Sequence, residues 1–157
     1  MILLLDFGGT KLTAALTTPD IFAAEQTAVL QLADLRRHFS PEGVDGVYDL
    51  EAMLRLADEL LAGKRPKAIG VSFGGPVDFA SGTVRLSHHV AGWENVPLQQ
   101  LLETRYGAPA RVDNDANVGA LGEWRFGAGR GRQHVGYLTV STGVGGGWVL
   151  NNGCWRG

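Results

Sequence analysis

Cysteine is almost absent from this 157-residue chain. Cys154 stands alone, so no internal disulfide can form and no thiolate pair is available at metal-ligand spacing. A reducing, cytoplasmic setting is expected. Long apolar runs are missing too: the first, Ile2 to Leu5, meets Asp6 and a glycine pair at once. It is too short for a signal-peptide core or a membrane span, and no membrane partner is expected. Neither sign of charge dominates, since 14 basic against 16 acidic residues leave a formal net charge of −2. That balance gives no footprint for nucleic acid or an anionic surface. The Walker pattern G-x-x-x-x-G-K-[ST] occurs nowhere. The dinucleotide fingerprint fails twice: a strand rather than a helix follows Gly8-Gly9, and Trp148 takes the last position after Gly143-Val144-Gly145-Gly146-Gly147. No solenoid-length repeat or low-complexity segment appears.

What is present is globular composition, 45% apolar and 19% charged, in a length that suits one buried domain or a small domain followed by part of another. Glycine is the excess, with 23 residues clustered at Gly8-Gly9, Gly74-Gly75, Gly127-Gly129-Gly131 and Gly143 to Gly147. Several clusters stand just after strand-like runs. There they mark tight turns or close approach of backbone to a ligand.

Residues 2–6, 11–18 and 21–30 read as an antiparallel three-stranded meander, with Thr18-Pro19-Asp20 as a turn. Residues 31–48 show no period and read as a loop with a short helix. Leu50, Met53, Leu54, Ala57, Leu60 and Leu61 then share one helical face, which predicts a helix over 49–62 capped by Asp49 and stopped at Gly63. Lys67 to Ser72 reads as a buried strand, and Pro97 and Gly107 bracket a second helix. Ala110 to Asp113 is a short strand. A helix follows over Asp115 to Phe126, then strands over Tyr137 to Ser141 and Trp148 to Leu150. The alternation of strands and helices is α/β.

Four segments could carry chemistry. In Asp6-Phe7-Gly8-Gly9-Thr10-Lys11 a buried strand ends in a carboxylate and turns straight into the next strand. Consecutive backbone N–H groups of such a turn can cradle phosphate, and Asp6 could hold Mg²⁺, which takes one or two carboxylates and keeps several waters. The bland alternative is a plain Gly-Gly hairpin. In Asp113-Asn114-Asp115-Ala116-Asn117 a strand tip enters a helix, where the dipole favours an ionised Asp115 able to accept a hydroxyl proton. Asn114 could bond a neighbouring hydroxyl. Here the alternative is ordinary capping, although Gly119 and Gly122 inside the helix suggest close packing or ligand approach. Val71 to Asp78 offers a third strand tip with a glycine pair. Ser141 to Gly147 echoes the first hairpin, and the two together would make a two-sided phosphate clamp. His88 and His89 lack partners at ligand spacing and read as a solvated or substrate-edge pair rather than a metal site.

The order DFGGTK, GVSFGGPVD, HHVAGWENVPL, DNDANVGALGEWRFGAG and STGVGGG closely resembles the ROK family of sugar kinases and related repressors. The resemblance implies the actin-like ATPase fold (ribonuclease H-like, shared by hexokinase, Hsp70 and actin), with a mixed sheet, an antiparallel N-terminal meander and flanking helices. It places residues 1–114 in a first subdomain and 115–157 at the start of a second. It further implies that Gly8, Gly9, Thr10 and Lys11 bind phosphate, that Thr142 and Gly143 belong to a second phosphate hairpin, and that Asp6 lies by Mg²⁺. Gly75 and Asn114 would bind sugar and Asp115 would act as general base. Ser141 departs from the family's usual glycine.

The implied activity is ATP-dependent phosphorylation of a hexose or N-acetylhexosamine, with ATP against polyphosphate as donor left open. The family's zinc motif and adenosine pocket lie beyond this sequence, so the chain is expected to be incomplete and inactive alone. It is expected to form a homo-oligomer or associate with a C-terminal half. The competing reading is a ROK-type sugar-sensing transcriptional regulator. Such proteins carry a helix-turn-helix ahead of the first strand, where Met1 stands here. A third is a non-catalytic binding fragment.

Overall fold

A computed structural model describes residues 1–18, 32–140 and 143–156. The chain runs β1 (Ile2–Phe7), β2 (Lys11–Thr17), β3 (Asp34–Phe39), α1 (Gly46–Leu61), β4 (Ala68–Phe73), β5 (Val77–Asp78) and β6 (Thr83–Val84). It continues through α2 (Leu98–Tyr106), β7 (Ala110–Asn114), α3 (Asp115–Phe126), β8 (Val135–Val140), β9 (Val144–Leu150) and β10 (Gly153–Trp155). A five-stranded sheet has the order β3-β2-β1-β4-β7, with β1, β4 and β7 parallel and β2 and β3 antiparallel. A second sheet has the order β10-β9-β8.

Alternation along the strands sorts the five-stranded sheet into two faces. Leu3, Leu5 and Phe7 of β1, Leu12, Ala14 and Leu16 of β2, Ile69, Val71 and Phe73 of β4 and Val112 of β7 form one core. Met53, Ala57 and Leu61 of α1 and Leu98 and Leu102 of α2 complete it. On the opposite face the register aligns Arg37, Thr13, Asp6, Ser72 and Asp113 in one polar row, one residue from each strand.

The meander exists, but its third strand differs from the expectation. Residues 21–30 lie outside the described residues, and the strand paired with β2 is β3, within the stretch expected as a loop. This edge strand is largely exposed, so no apolar alternation announces it. Helix α1 starts three residues earlier than expected. Its cap is Asp45, whose side chain accepts the Tyr48 N–H at 3.0 Å, whereas Asp49 is buried and accepts from Ser40 Oγ at 2.6 Å. Gly46 opens the helix because Trp93 packs there: a methyl group would lie 2.8 Å from the indole. Asp45→Ala should lower stability by about 1 kcal/mol in urea unfolding, the usual loss of a helix cap.

Helices α2 and α3 match their expected spans closely. Gly107 closes α2 in the left-handed conformation (φ 61°). At this end of the molecule Tyr106 donates to Asp58 at 3.0 Å, and burial pushes its hydroxyl up to about 12. A phenol whose folded pKa is raised stabilises the fold fully below its unfolded value near 10, and that contribution is lost as pH rises toward 12. Unfolding midpoints should therefore fall between pH 10 and 12, and Tyr106→Phe should flatten that fall.

In the second sheet β8 and β9 pack one face against α3. Val149 is buried there, and a methyl group at Gly147 would come within 2.2 Å of the Ala116 carbonyl oxygen. The other face, with Leu138, Val140, Val144, Trp148, Leu150 and Trp155, is exposed. Strands β5, β6 and β10, of two or three residues each, are too short to show a period in sequence. No helix among the described residues is long and apolar enough to cross a membrane.

Candidate functional site

Two glycine turns meet at the tips of β1 and β4 because their backbones bond. The Gly8 N–H donates to the Lys11 carbonyl at 3.1 Å, closing the β1–β2 turn, and the Gly74 N–H donates to the Phe7 carbonyl at 2.9 Å. Side chains would break this arrangement. A methyl group at Gly8 would sit 2.8 Å from the Lys11 carbonyl oxygen, and one at Gly75 would sit 2.6 Å from that of Leu86. Beneath the loops Phe7, Phe73 and Trp93 form an aromatic cluster. The Trp93 ring meets Phe7 and Phe73 edge-on, at centroid distances of 5.4 and 4.9 Å. Each of the three precedes or closes a loop of the site.

The β7–α3 junction supplies the polar groups. Asn114 caps α3, accepting the Ala116 N–H at 3.0 Å, and its Nδ2 donates to the Gly75 carbonyl at 3.0 Å. Asp115 Oδ1 accepts the same Ala116 N–H at 2.8 Å. Its Oδ2 faces the glycine turn, 3.9 Å from where a methyl group on Gly74 would sit. The carboxylate is thus exposed, held by a helix N-terminus and directed at the Gly74-Gly75 turn.

These elements open on a shared cavity of about 990 Å³. The five-stranded sheet and its loops contribute Gly8, Gly9, Thr10, Gly74, Gly75, His88 and His89; the junction contributes Asn114 and Asp115; the second sheet contributes Thr139, Gly143, Val144 and Gly145. Of the expected site residues, Gly8, Gly9, Thr10, Gly75, Asn114, Asp115 and Gly143 come together here. Lys11 and Asp6 flank the hairpin instead: Lys11 is exposed at the start of β2, and Asp6 is half-buried in the polar row. Thr142 lies outside the described residues. Gly119 does support close packing, because a methyl group there would be 2.7 Å from the Tyr137 ring. Gly122 does not, having nothing within 4 Å.

Sequence reasoning missed the segment Ser40 to Val44, which lines the cavity and is tied to the hairpin by Ser40 N–H donating to the Thr10 carbonyl at 3.1 Å. Pro41 and Gly43 mark this segment as a loop in sequence, and nothing in that local signal points to a site. Among the described residues no three His, Cys, Asp or Glu side chains gather as a metal cluster. A lone carboxylate such as Asp6 suits Mg²⁺ arriving with phosphate oxygens and water rather than a caged ion.

A glycine hairpin at the end of a mixed sheet, facing a second hairpin across a cavity with a carboxylate at the strand-to-helix step, belongs to the actin-like ATPase fold of sugar kinases. The chain is a member of the ROK family, whose defining pattern it matches over residues 2–157. It is 31% identical over 152 residues to the glucokinase of Streptomyces coelicolor, covering 97% of this chain and 44% of that protein. The xylose repressor of Caldicellulosiruptor bescii is 36% identical over 118 residues, or 69% of this chain and 29% of that protein. Among solved structures, a ROK glucokinase from Streptomyces griseus in complex with glucose and AMPPNP superimposes with a TM-score of 0.81 at 30% identity, over 99% of this chain and 46% of that one. The chain therefore spans about half the length of such relatives.

Proposed function

We propose that this chain is the catalytic front half of an ATP-dependent hexose kinase. The observation that carries the reading is the single cavity onto which Gly8 to Thr10, Gly143 and the Asn114–Asp115 step all open. Residues 1–114 would form the first subdomain and 115–157 the start of the second. Phosphoryl transfer requires mainly positioning and neutralisation of charge, so two backbone cradles, one base and one cation form a sufficient set.

In this reading Gly8, Gly9 and Thr10 bind phosphate oxygens through backbone N–H groups, with Lys11 adding charge at the rim and Thr142 and Gly143 receiving the donor from the second hairpin. Mg²⁺ bound with the nucleotide would neutralise phosphate charge, and Asp6, near the end of β1 beside the hairpin, would be its carboxylate. Gly75 and Asn114 seat the sugar. Asp115 takes the proton of the attacking hydroxyl, its Oδ2 being left free of the capping bond.

Titration calorimetry with D-glucose and with Mg·ATP, beside a coupled phosphorylation assay, tests the proposal. The chain alone should show no turnover, and adding the second half of a ROK glucokinase in trans should restore it. Robust phosphorylation by the chain alone would overturn the need for a second half. Absence of both sugar binding and restoration would sink the kinase reading. The likeness to the xylose repressor supports a second reading, a sugar-sensing regulator, and salt-dependent binding to duplex DNA would favour it.

A further inference from the structure

Arg156 reaches from the end of the three-stranded sheet back to the five-stranded one. Its Nε donates to Asp113 Oδ2 at 2.9 Å, its Nη1 donates to the Cys154 carbonyl at 3.4 Å, and its guanidinium lies 3.6 Å from the ring centroid of Phe79, in the β5–β6 loop. The side chain of Asp113 is 8% exposed. Its other oxygen accepts the Asn114 N–H at 2.9 Å and Asn117 Nδ2 at 3.0 Å. A buried carboxylate is costly unless it is both paired and hydrogen-bonded, and here three donors, one of them the Arg156 cation, meet that requirement.

The location gives the pair its consequence. Main chain passes from the first sheet to α3 at the Asn114–Asp115 step, and α3 carries the second sheet against it. Asp113 precedes that step directly. Asn114 is fastened forward to the Gly75 carbonyl while Asp113 is fastened backward to Arg156, so the tip is held from both sides. We propose that Asp113 and Arg156 form a strut between the two sheets, which sets the width of the cavity and the aim of Asn114 and Asp115. Both are positioning residues for the site. Arginine suits the role because its planar group bonds the carboxylate and stacks on Phe79 together, which lysine cannot do. The inference rests on the kinase reading of the cavity only for its effect on sugar.

The test uses the whole chain with Cys154→Ser, carrying spin labels at Glu42→Cys, in the loop that follows β3, and Val144→Cys, in β9, two exposed positions that line the cavity. The parent should give one narrow label-to-label distance. Arg156→Gln should broaden or shift it, and Arg156→Lys should recover it in part. At a temperature where unfolding curves show every variant folded, D-glucose should bind about tenfold or more weakly to Arg156→Gln, since small misplacements at a site cost at least that much. A role in stability alone would lower the unfolding midpoint and leave both readouts unmoved, and that result overturns the proposal. Should Arg156→Gln fail to fold, Phe79→Leu removes only the stacking surface and must still broaden the distance. A parent that binds no D-glucose removes only the affinity readout, and the distances then decide the strut by themselves.

Discussion

Asp115→Asn should lower hexose phosphorylation by about 10²- to 10⁴-fold, the range that a positioned general base contributes, while sugar affinity changes little. The substitution suits the test because asparagine keeps the shape of the side chain and can still accept the Ala116 N–H that Asp115 Oδ1 now receives at 2.8 Å. Helix α3 should therefore start where it does, and what disappears is the proton acceptor facing Gly74. The measurement is steady-state kinetics on a chimera in which residues 1–157 replace the front half of a ROK glucokinase. A fall in kcat with KM for glucose held marks loss of an interaction made in the transition state. Equal activity in the two proteins would remove Asp115 from the mechanism.

Trp93→Ala should cost about 3–5 kcal/mol, the usual penalty for emptying a buried aromatic site. Against a total stability of about 5–15 kcal/mol for an ordinary domain, that is a large fraction. Trp93 is 2% exposed, packs edge-on against Phe7 and Phe73, and fills the space that Gly46 leaves at the start of α1. Phe7 leads into the Gly8 turn, Phe73 leads into Gly74-Gly75, and Trp93 closes the loop that carries His88 and His89. The cavity would therefore loosen along with the core. Urea unfolding measures the first effect and glucose calorimetry the second. Trp93→Phe, which keeps a ring in place, should lose much less of both. Equal losses from the two variants would show that the ring contacts are not what hold the loops.

The parts of the fold that could be read in advance are those whose signals are local. Asn114 caps α3 and Gly107 ends α2 through interactions within a few residues, so sequence alone placed both helices closely. The start of α1 depends instead on Trp93, 47 residues from Gly46, and an exposed Asp45 did the capping that was expected of buried Asp49. Strand β3 is held by its pairing with β2 rather than by an apolar face, so Asp34-Leu35-Arg36-Arg37-His38-Phe39 gave no alternation to find. In the site, glycine pairs and the Asn114–Asp115 step were legible as chemistry. What could not be read was their mutual placement: the bond from Asn114 to Gly75 spans 39 residues, and the one from Arg156 to Asp113 spans 43.

The glycines of this chain divide by what surrounds them, and the division forecasts mutational tolerance. At Gly8, Gly74, Gly75 and Gly147 the nearest obstacle to a side chain is a carbonyl oxygen of the main chain, at 2.8, 3.2, 2.6 and 2.2 Å. A neighbouring side chain can rotate aside, whereas a main-chain carbonyl moves only if its backbone does. At Gly122 and Gly143 there is open space within 4 Å and no left-handed backbone. A saturation library selected for folded protein should recover many residues at the second pair and almost nothing but glycine at the first four. Three of those four line the cavity, so the turns at the ends of β1 and β4 are closed to drift, and the site is left to vary at Gly143 and at its side-chain carriers.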